Sequence, residues 1–224
     1  LARRHFGFML RNDPPRIRSV TQSPEEIAAI YGTNFERLSL EGIANGNAAV
    51  EVSKKIERAA GIDYWLRFPS PSALLGDTVY ARVLEPHGVD NPPTVIFGHG
   101  ICIEFDHWRG LIDEARTLRA EGFRVIRPVA PWHGRRRPLG SFGGQPMMTR
   151  IPGGLFDAFT GAAQEWAVIA NWVRQQSDAP LAYGGTSLGA LIAQFAAEKI
   201  GERNPRLKAD GLFLITHSGR MSDA

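Results

Sequence analysis

Residues 181–201 constrain the fold of this chain more than any other stretch. Pro180 interrupts the segment before it, and residues 181–183 (Leu-Ala-Tyr) are apolar and strand-like. From Leu188 onwards apolar residues recur at helical spacing, and Gly201 is of the type that commonly ends a helix. The stretch therefore predicts a buried strand that turns sharply and continues directly as a helix.

The turn between this strand and this helix carries Gly-Thr-Ser-Leu-Gly at residues 185–189, which fits the pattern G-x-S-x-G. A serine raised on so tight a turn leaves no space for a Cβ two residues before or after it, so both positions require glycine. The helix N terminus directs unpaired N–H groups and the positive end of its dipole towards the serine. We therefore predict Ser187 as a nucleophile, with the backbone N–H of Leu188 placed to stabilise an oxyanion.

Strand and helix signals alternate along much of the chain. Short apolar runs predict strands at residues 62–68, 78–84, 94–97, 123–126, 181–183 and 211–216. Amphipathic stretches predict helices at residues 107–121 and 157–174, besides the helix that follows Ser187. The alternation predicts an α/β fold: a mostly parallel, doubly wound sheet with helices on both faces and a site at the carboxyl ends of its strands.

Residues 1–60 are predicted to form a helical N-terminal extension, and residues 61–224 the α/β domain. An N-cap and first-turn pattern that begins at Ser23 predicts a short helix, which Gly32 ends. A second helix is predicted at residues 48–60. The extension could be a lid, a dimerisation arm or a packing element, and packing is the favoured interpretation.

Composition argues against several classes of function. The net charge is only +3 and the arginines are scattered among acidic residues, so the sequence predicts no nucleic-acid partner. No apolar run is long enough to span a bilayer, so no membrane association is predicted. The single cysteine and the lack of a secretory h-region at the first residues predict the cytoplasm. The oligomeric state is left open.

The order of these elements and motifs resembles the α/β-hydrolase superfamily over about residues 62–220. The G-x-S-x-G turn matches the nucleophile elbow of that superfamily. His-Gly-Ile at residues 99–101 matches its oxyanion turn after the third strand, and residues 131–135 resemble the P-x-x-G-x segment that borders its pocket. Residues 68–71, 107–109 and 133–138 also resemble a less characterised subgroup of α/β-hydrolase-domain proteins.

The resemblance implies a role for each matched residue. Ser187 would be the nucleophile, and the backbone N–H groups of Leu188 and Ile101 would form the oxyanion hole. The implied pocket residues are His99, Gly100, Trp132, His133 and Arg135. The resemblance implies no metal and no organic cofactor.

The sequence departs from the superfamily pattern at the other two residues of the catalytic triad, the acid and the histidine. In the superfamily an acid and then a histidine follow the serine, with the histidine after the last strand. About ten residues follow the sixth predicted strand here, so we expect a sheet truncated after about the sixth strand, with both residues beyond Ala224. Within the chain, His217 is the candidate base or pocket residue and Asp223 the candidate acid. The competing interpretations are a strand-end histidine and a solvated terminus.

Other chemistry-bearing residues have simpler interpretations. His99 is expected to shape the oxyanion turn by hydrogen bonds to the backbone, and Cys102 to be a small buried hydrophobe. The three arginines at residues 135–137 could bind an anionic group or form a solvated loop. They lie within residues 131–152, a stretch too long for a plain connector and therefore predicted to be functional, with an apolar wall from Trp132, Phe142, Met147 and Met148.

The function expected from the resemblance is that of a serine hydrolase of carboxylesterase type. It would cleave an ester, thioester or amide of a small organic acid through an acyl-enzyme on Ser187. Its partner would be a small-molecule acyl substrate. The same fold supports acyl transfer and perhydrolysis, and the alternative from another class is a non-catalytic binding module that lacks a complete triad.

Overall fold

The computed structural model describes residues 22–31, 48–101 and 113–216. One sheet contains eight strands in this part of the chain: β1 (Glu51–Val52), β2 (Ile56–Arg58), β3 (Gly61–Pro69), β4 (Thr78–Glu85), β5 (Thr94–Gly98), β6 (Arg124–Pro128), β7 (Leu181–Thr186) and β8 (Gly211–Ile215). The α-helices are α1 (Pro24–Tyr31), α2 (Glu114–Ala120), α3 (Gln145–Thr149), α4 (Gly153–Arg174) and α5 (Leu188–Arg203). Short 3-10 helices lie at Gly134–Arg136 and Pro205–Leu207.

The sheet has the strand order β1-β3-β4-β6-β5-β7-β8, and β2 also pairs with β3. Strands β6, β5, β7 and β8 are parallel to one another, whereas β1 to β4 join the sheet by antiparallel pairing. Strand β5 lies between β6 and β7, and all five of its residues are buried. Because β5, β6 and β7 are each followed by a helical connection to a parallel strand, their carboxyl ends meet at one edge of the sheet.

Helices cover both faces of the sheet. The larger apolar cluster packs α4 and α5, through residues such as Trp166 and Ile192, against β3, β4 and β7. A smaller cluster on the opposite face joins Ala115 of α2 to Val95 and Phe97 of β5. This arrangement confirms the predicted doubly wound α/β class. Within the described ranges no helix has both the length and the apolar character needed to cross a membrane.

The helix predicted at residues 48–60 is wrong, because this segment is extended. Strand β1 pairs with β3 so that Val52 faces Leu66, and β2 pairs so that Glu57 faces Ile62. The backbone N–H of Ser53 also donates to the carbonyl of Trp65 at 2.9 Å. The open edge of β3 thus outweighs the helical propensity of the segment. The sheet therefore begins at Glu51, and its described part has eight strands where six were predicted.

Helix α1 has the predicted bounds and N-cap. The Ser23 hydroxyl accepts the N–H of Glu26 at 3.2 Å, and the Glu26 carboxylate accepts the N–H of Ser23 at 2.7 Å, which together form a capping box. The side-chain oxygen of Gln22 accepts the N–H of Gly153, the first residue of α4, at 2.9 Å. The segment at residues 22–31 is therefore attached to the start of the longest described helix.

Three predicted helices differ from the structure at one of their ends. Helix α5 continues through Gly201 to Arg203, so Gly201 lies inside the helix. Helix α2 begins at Glu114, because Asp113 is extended at φ −117° and ψ 90° and its side chain caps the N–H of Arg116, so the single helix predicted from residue 107 is wrong at its N terminus. Helix α4 begins at Gly153, four residues earlier than predicted.

Candidate active site

Ser187 lies at the junction of β7 and α5, on the edge of the sheet where the parallel strands end. Its backbone has φ 53° and ψ −115°, and its side chain is half-buried. A non-glycine residue in such a conformation stores about 1–3 kcal/mol of strain, which the surrounding structure must hold in place. Strain at this position fits a serine raised above the end of a strand.

Three glycines around this turn lie where there is no space for a side chain. A Cβ on Gly185 would lie 2.3 Å from the carbonyl carbon of Gly189, and one on Gly189 would lie 2.1 Å from the carbonyl oxygen of Gly98. A Cβ on Gly98 would in turn lie 2.7 Å from Cα of Gly189. The end of β5 therefore touches the first turn of α5 backbone to backbone, which brings residues 99–101 beside the N terminus of α5.

The turn leaves backbone donors available. The N–H of Ser187 donates to the carbonyl of Ile215 at 2.9 Å, and the N–H groups of Ala190 and Leu191 both donate to the carbonyl of Ser187. In the described part of the chain, the N–H groups of Leu188 and Ile101 form no hydrogen bond. These two groups are the oxyanion donors predicted from the sequence.

His99 holds the turn that carries Ile101. Its Nε2 accepts the N–H of Ala130 at 3.0 Å, so the proton resides on Nδ1, which donates to the carbonyl of Gly100 at 2.8 Å. The imidazole is buried, and both of its nitrogens contact the backbone. As placed, His99 fastens the end of β5 to the segment that follows β6, and Gly100 takes part through its carbonyl.

The structure encloses the side chain of His133, which the resemblance assigned to the pocket. Its side chain is fully buried, with its ring 5.2 Å from that of His99 and its Nδ1 2.9 Å from the carbonyl of Pro131. Gly144, at φ 81°, covers the ring so closely that a Cβ there would lie 2.7 Å from Cε1 of His133 and 3.5 Å from Cγ1 of Ile101. The ring is therefore packed beneath the loop that carries Gly144, and the pocket role of His133 stays a prediction.

The other two predicted pocket residues of this loop point to different places. Trp132 adopts φ 60° and is half-buried, and the Arg150 guanidinium lies 5.1 Å from the centre of its ring. Arg135 is exposed and lines a cleft of about 280 Å³ over β1, β3 and β4, which also involves Trp65 and Tyr80. This cleft does not include Ser187, so the structure does not bring Arg135 to the candidate site.

The middle arginine of the run at residues 135–137 has a structural role that the sequence did not reveal. Arg136 is buried and forms ion pairs with Asp77 at 2.8 Å and Glu165 at 2.6 Å. The Ser70 hydroxyl also donates to Glu165 at 2.7 Å, and Arg136 donates to the carbonyl of Val129 at 2.9 Å. Burial by itself would lower the pKa of Arg136, but the charges of Glu165 and Asp77 raise it overall. The loop after β6 is thereby fastened to α4 and to the start of β4.

We expect Arg136→Met to lower the free energy of unfolding by about 3–5 kcal/mol, because it leaves the Glu165 carboxylate buried without its cation. Denaturant unfolding followed by circular dichroism measures the change. Arg135→Met is the matched control and should stay within about 0.5 kcal/mol of the wild type, since Arg135 is exposed. Adding Glu165→Gln to Arg136→Met should recover part of the loss. An Arg136 variant as stable as the Arg135 variant would contradict the role of the ion-pair network.

Sequence reasoning also missed a contact of the residue that precedes Ser187. The hydroxyl of Thr186 donates to Oε1 of Glu114 at 2.9 Å, and both side chains are half-buried. Glu114 is the first residue of α2. No pattern in the sequence signals this pair, because the two residues lie 72 positions apart.

Three candidates lie outside the described residues: Cys102, His217 and Asp223. Their predicted roles therefore stay predictions. In the described ranges, no histidine or carboxylate forms a hydrogen bond with the Ser187 hydroxyl. Over the same ranges no group of three histidine, cysteine or acidic side chains is arranged to hold a metal ion.

The sequence matches no protein-family model and no curated protein. Solved structures do match. A cold-adapted esterase from an Arctic intertidal metagenomic library aligns with a TM-score of 0.51 and 14% identity over 75% of this chain and 76% of that one. Acetyl xylan esterase 1 from Thermoanaerobacterium sp. JW/SL YS485 aligns with a TM-score of 0.54 and 16% identity over 83% of this chain and 61% of that one.

A third structure, from Bacteroides fragilis NCTC 9343, is of a protein proposed to be an acetyl xylan esterase. It aligns with a TM-score of 0.53 and 16% identity over 90% of this chain and 57% of that one. The chain thus spans about three fifths of the length of the two acetyl xylan esterase structures. At this level of identity the similarity establishes the fold, and the chain has the α/β-hydrolase fold that its motifs predicted.

Proposed function

We propose that this protein is a serine hydrolase of carboxylesterase type, which cleaves an ester, thioester or amide of a small organic acid through an acyl-enzyme on Ser187. The observation that carries the proposal is the strained conformation of Ser187, at φ 53°, between three glycines that admit no side chain. Such strain is kept where function requires it. The esterases that share the fold support the same class of reaction.

The mechanism follows from the atoms around the turn. The Ser187 hydroxyl oxygen attacks the substrate carbonyl while its proton passes to a general-base histidine. Among the residues of this sequence, His217 is the candidate for the base or a pocket residue, and Asp223 is the candidate acid. The carbonyl oxygen becomes an oxyanion, which the N–H groups of Leu188 and Ile101 stabilise by about 3 kcal/mol per donor. The leaving group departs with the proton, and water then hydrolyses the acyl-enzyme to release the acid and restore Ser187.

Acetyl esters are the substrates to test first. One structure that shares the fold is an acetyl xylan esterase, so acetylated xylan should be included beside phenyl, nitrophenyl and ethyl acetates.

We expect all acetate substrates to pass through one common acetyl-enzyme. When methanol is added, the ratio of methyl acetate to acetic acid formed should therefore be the same for phenyl, nitrophenyl and ethyl acetates, because the leaving group has gone before the products diverge. Gas chromatography of both products measures the ratio. A ratio that changes with the leaving group would exclude a common acyl-enzyme.

The same assay distinguishes the alternative function. If the wild-type protein hydrolyses none of the esters faster than Ser187→Ala, yet binds one of them in an isothermal titration, the protein is a non-catalytic binding module. If hydrolysis depends on Ser187 and methyl acetate forms in a constant ratio, the hydrolase proposal holds and acyl transfer to alcohols is an additional activity of the same intermediate.

A further inference from the structure

We propose that Glu114 is a positioning residue for the nucleophile. Its carboxylate accepts the hydroxyl of Thr186 and so fixes the residue immediately before Ser187. This inference rests on the proposed function, because it concerns how the proposed nucleophile is held. It assigns a role in the reaction to a side chain on α2, an element that contributes no residue to the elbow itself.

The contact is specific. The Thr186 hydroxyl lies 2.9 Å from Oε1 of Glu114, a distance at which a hydroxyl donates well to a carboxylate. Within the described ranges it is the one hydrogen bond that the Glu114 side chain makes, and Glu114 forms no ion pair there. Both side chains are half-buried, so water competes for the hydrogen bond less than it would at an open surface.

The elbow needs such a restraint. Ser187 is held at φ 53° by the glycine packing on one side and by the hydrogen bond from its own N–H to the carbonyl of Ile215 on the other. Thr186 is the residue through which strand β7 enters the turn. A fixed Thr186 side chain restrains the end of β7, which would otherwise be free to relax. A strained residue such as Ser187 persists only where its neighbours over-determine its conformation.

Helix α2 is a firm base for the carboxylate. Ala115, the residue next to Glu114, is buried in the apolar cluster that also contains Val95 and Phe97 of β5 and Val125 of β6. Glu114 therefore connects the end of β7, which carries the proposed nucleophile, to a helix that packs on β4 and β6 and shares an apolar cluster with β5, the strand that leads into the predicted oxyanion turn. This connection would preserve the position of the Ser187 oxygen relative to the oxyanion donors. Small displacements of reacting groups reduce rates steeply.

The test compares variants that remove the hydrogen bond with variants that keep it. Thr186→Val and Glu114→Ala remove it, whereas Thr186→Ser keeps the donor and Glu114→Gln keeps an acceptor. Each full-length variant is measured for the rate of inactivation by a fluorophosphonate, for kcat and KM with nitrophenyl acetate, and for Tm. We expect the first pair to lose about tenfold in inactivation rate and kcat, with KM changed less than about twofold and Tm little changed. The second pair should stay within about threefold of the wild type.

A double-mutant cycle gives the sharpest outcome. Both changes remove the same hydrogen bond. The double variant Thr186→Val with Glu114→Ala should therefore react at most about twofold more slowly than either single variant. Additive losses, or single variants that react as fast as the wild type, would overturn the positioning role. A loss of rate that only follows a fall in Tm would also overturn it, in favour of a purely structural contact. If the wild-type protein itself does not react with the fluorophosphonate, the proposed function fails. If the wild-type protein reacts, the comparison of its variants tests the positioning role alone.

Discussion

Ser187→Ala is expected to lower the rate of ester hydrolysis by at least about 10⁴-fold, because it removes the atom that attacks the carbonyl. The residual rate would come from the oxyanion donors and substrate binding alone. Steady-state hydrolysis of nitrophenyl acetate, with the variant purified separately from any wild-type protein, measures the loss. The variant should remain folded, since the side chain is small and half-buried.

Two control variants make this result specific. Ser53→Ala changes an exposed serine that follows β1 at the far edge of the sheet, and it should leave the rate unchanged within about twofold. Ser187→Gly removes the hydroxyl and also relieves the positive φ, so it should be inactive yet about 1 kcal/mol more stable than the wild type. Hydrolysis by Ser187→Ala at more than about one tenth of the wild-type rate would contradict the role of Ser187.

Gly189→Ala is expected to lower the free energy of unfolding by more than about 4 kcal/mol, or to prevent folding altogether. The new Cβ would lie 2.1 Å from the carbonyl oxygen of Gly98. The backbone of residue 189 fixes the position of its Cβ, and the oxygen is itself a backbone atom, so no side-chain rotation can move the two apart. If the variant folds, denaturant unfolding measures the loss of stability. If it does not fold, the yield of folded protein, compared with that of the wild type, shows the loss.

Gly201 offers a matched control in the same helix. A Cβ there would lie 3.5 Å from Cγ of Lys208, an ordinary contact, and the residue lies inside α5. Gly201→Ala should therefore stabilise the protein by up to about 1 kcal/mol, through helix propensity and reduced freedom of the unfolded chain. Equal stabilities of the two alanine variants would contradict the close packing of β5 on α5.

The strand, turn and helix around Ser187 could be predicted because their determinants are local. The apolar residues before Ser187, the glycines on either side and the helical spacing after it all lie within about twenty residues, and sterics alone require their combination. The buried parallel strand β5 was equally evident, since a strand covered on both faces needs a continuous apolar run. The α/β class followed from the alternation of such runs with amphipathic stretches.

The predictions failed where distant residues decide the outcome. The segment at residues 48–60 is extended because the edge of β3 offers backbone partners, which the segment's own propensities do not express. Which arginine of the run at residues 135–137 is buried depends on Glu165, in a helix about thirty residues further on. The burial of the His133 ring was not evident from its motif, because it involves the close approach of Gly144, eleven residues further along the chain.

The most direct test of the central claim is to identify the residue that a fluorophosphonate modifies. The full-length protein is treated with the reagent, its intact mass is measured, and the digested protein is sequenced by mass spectrometry. The account predicts a single adduct, on Ser187, and no adduct on Ser187→Ala. An adduct on another residue, or wild-type and Ser187→Ala proteins modified to the same extent, would contradict it.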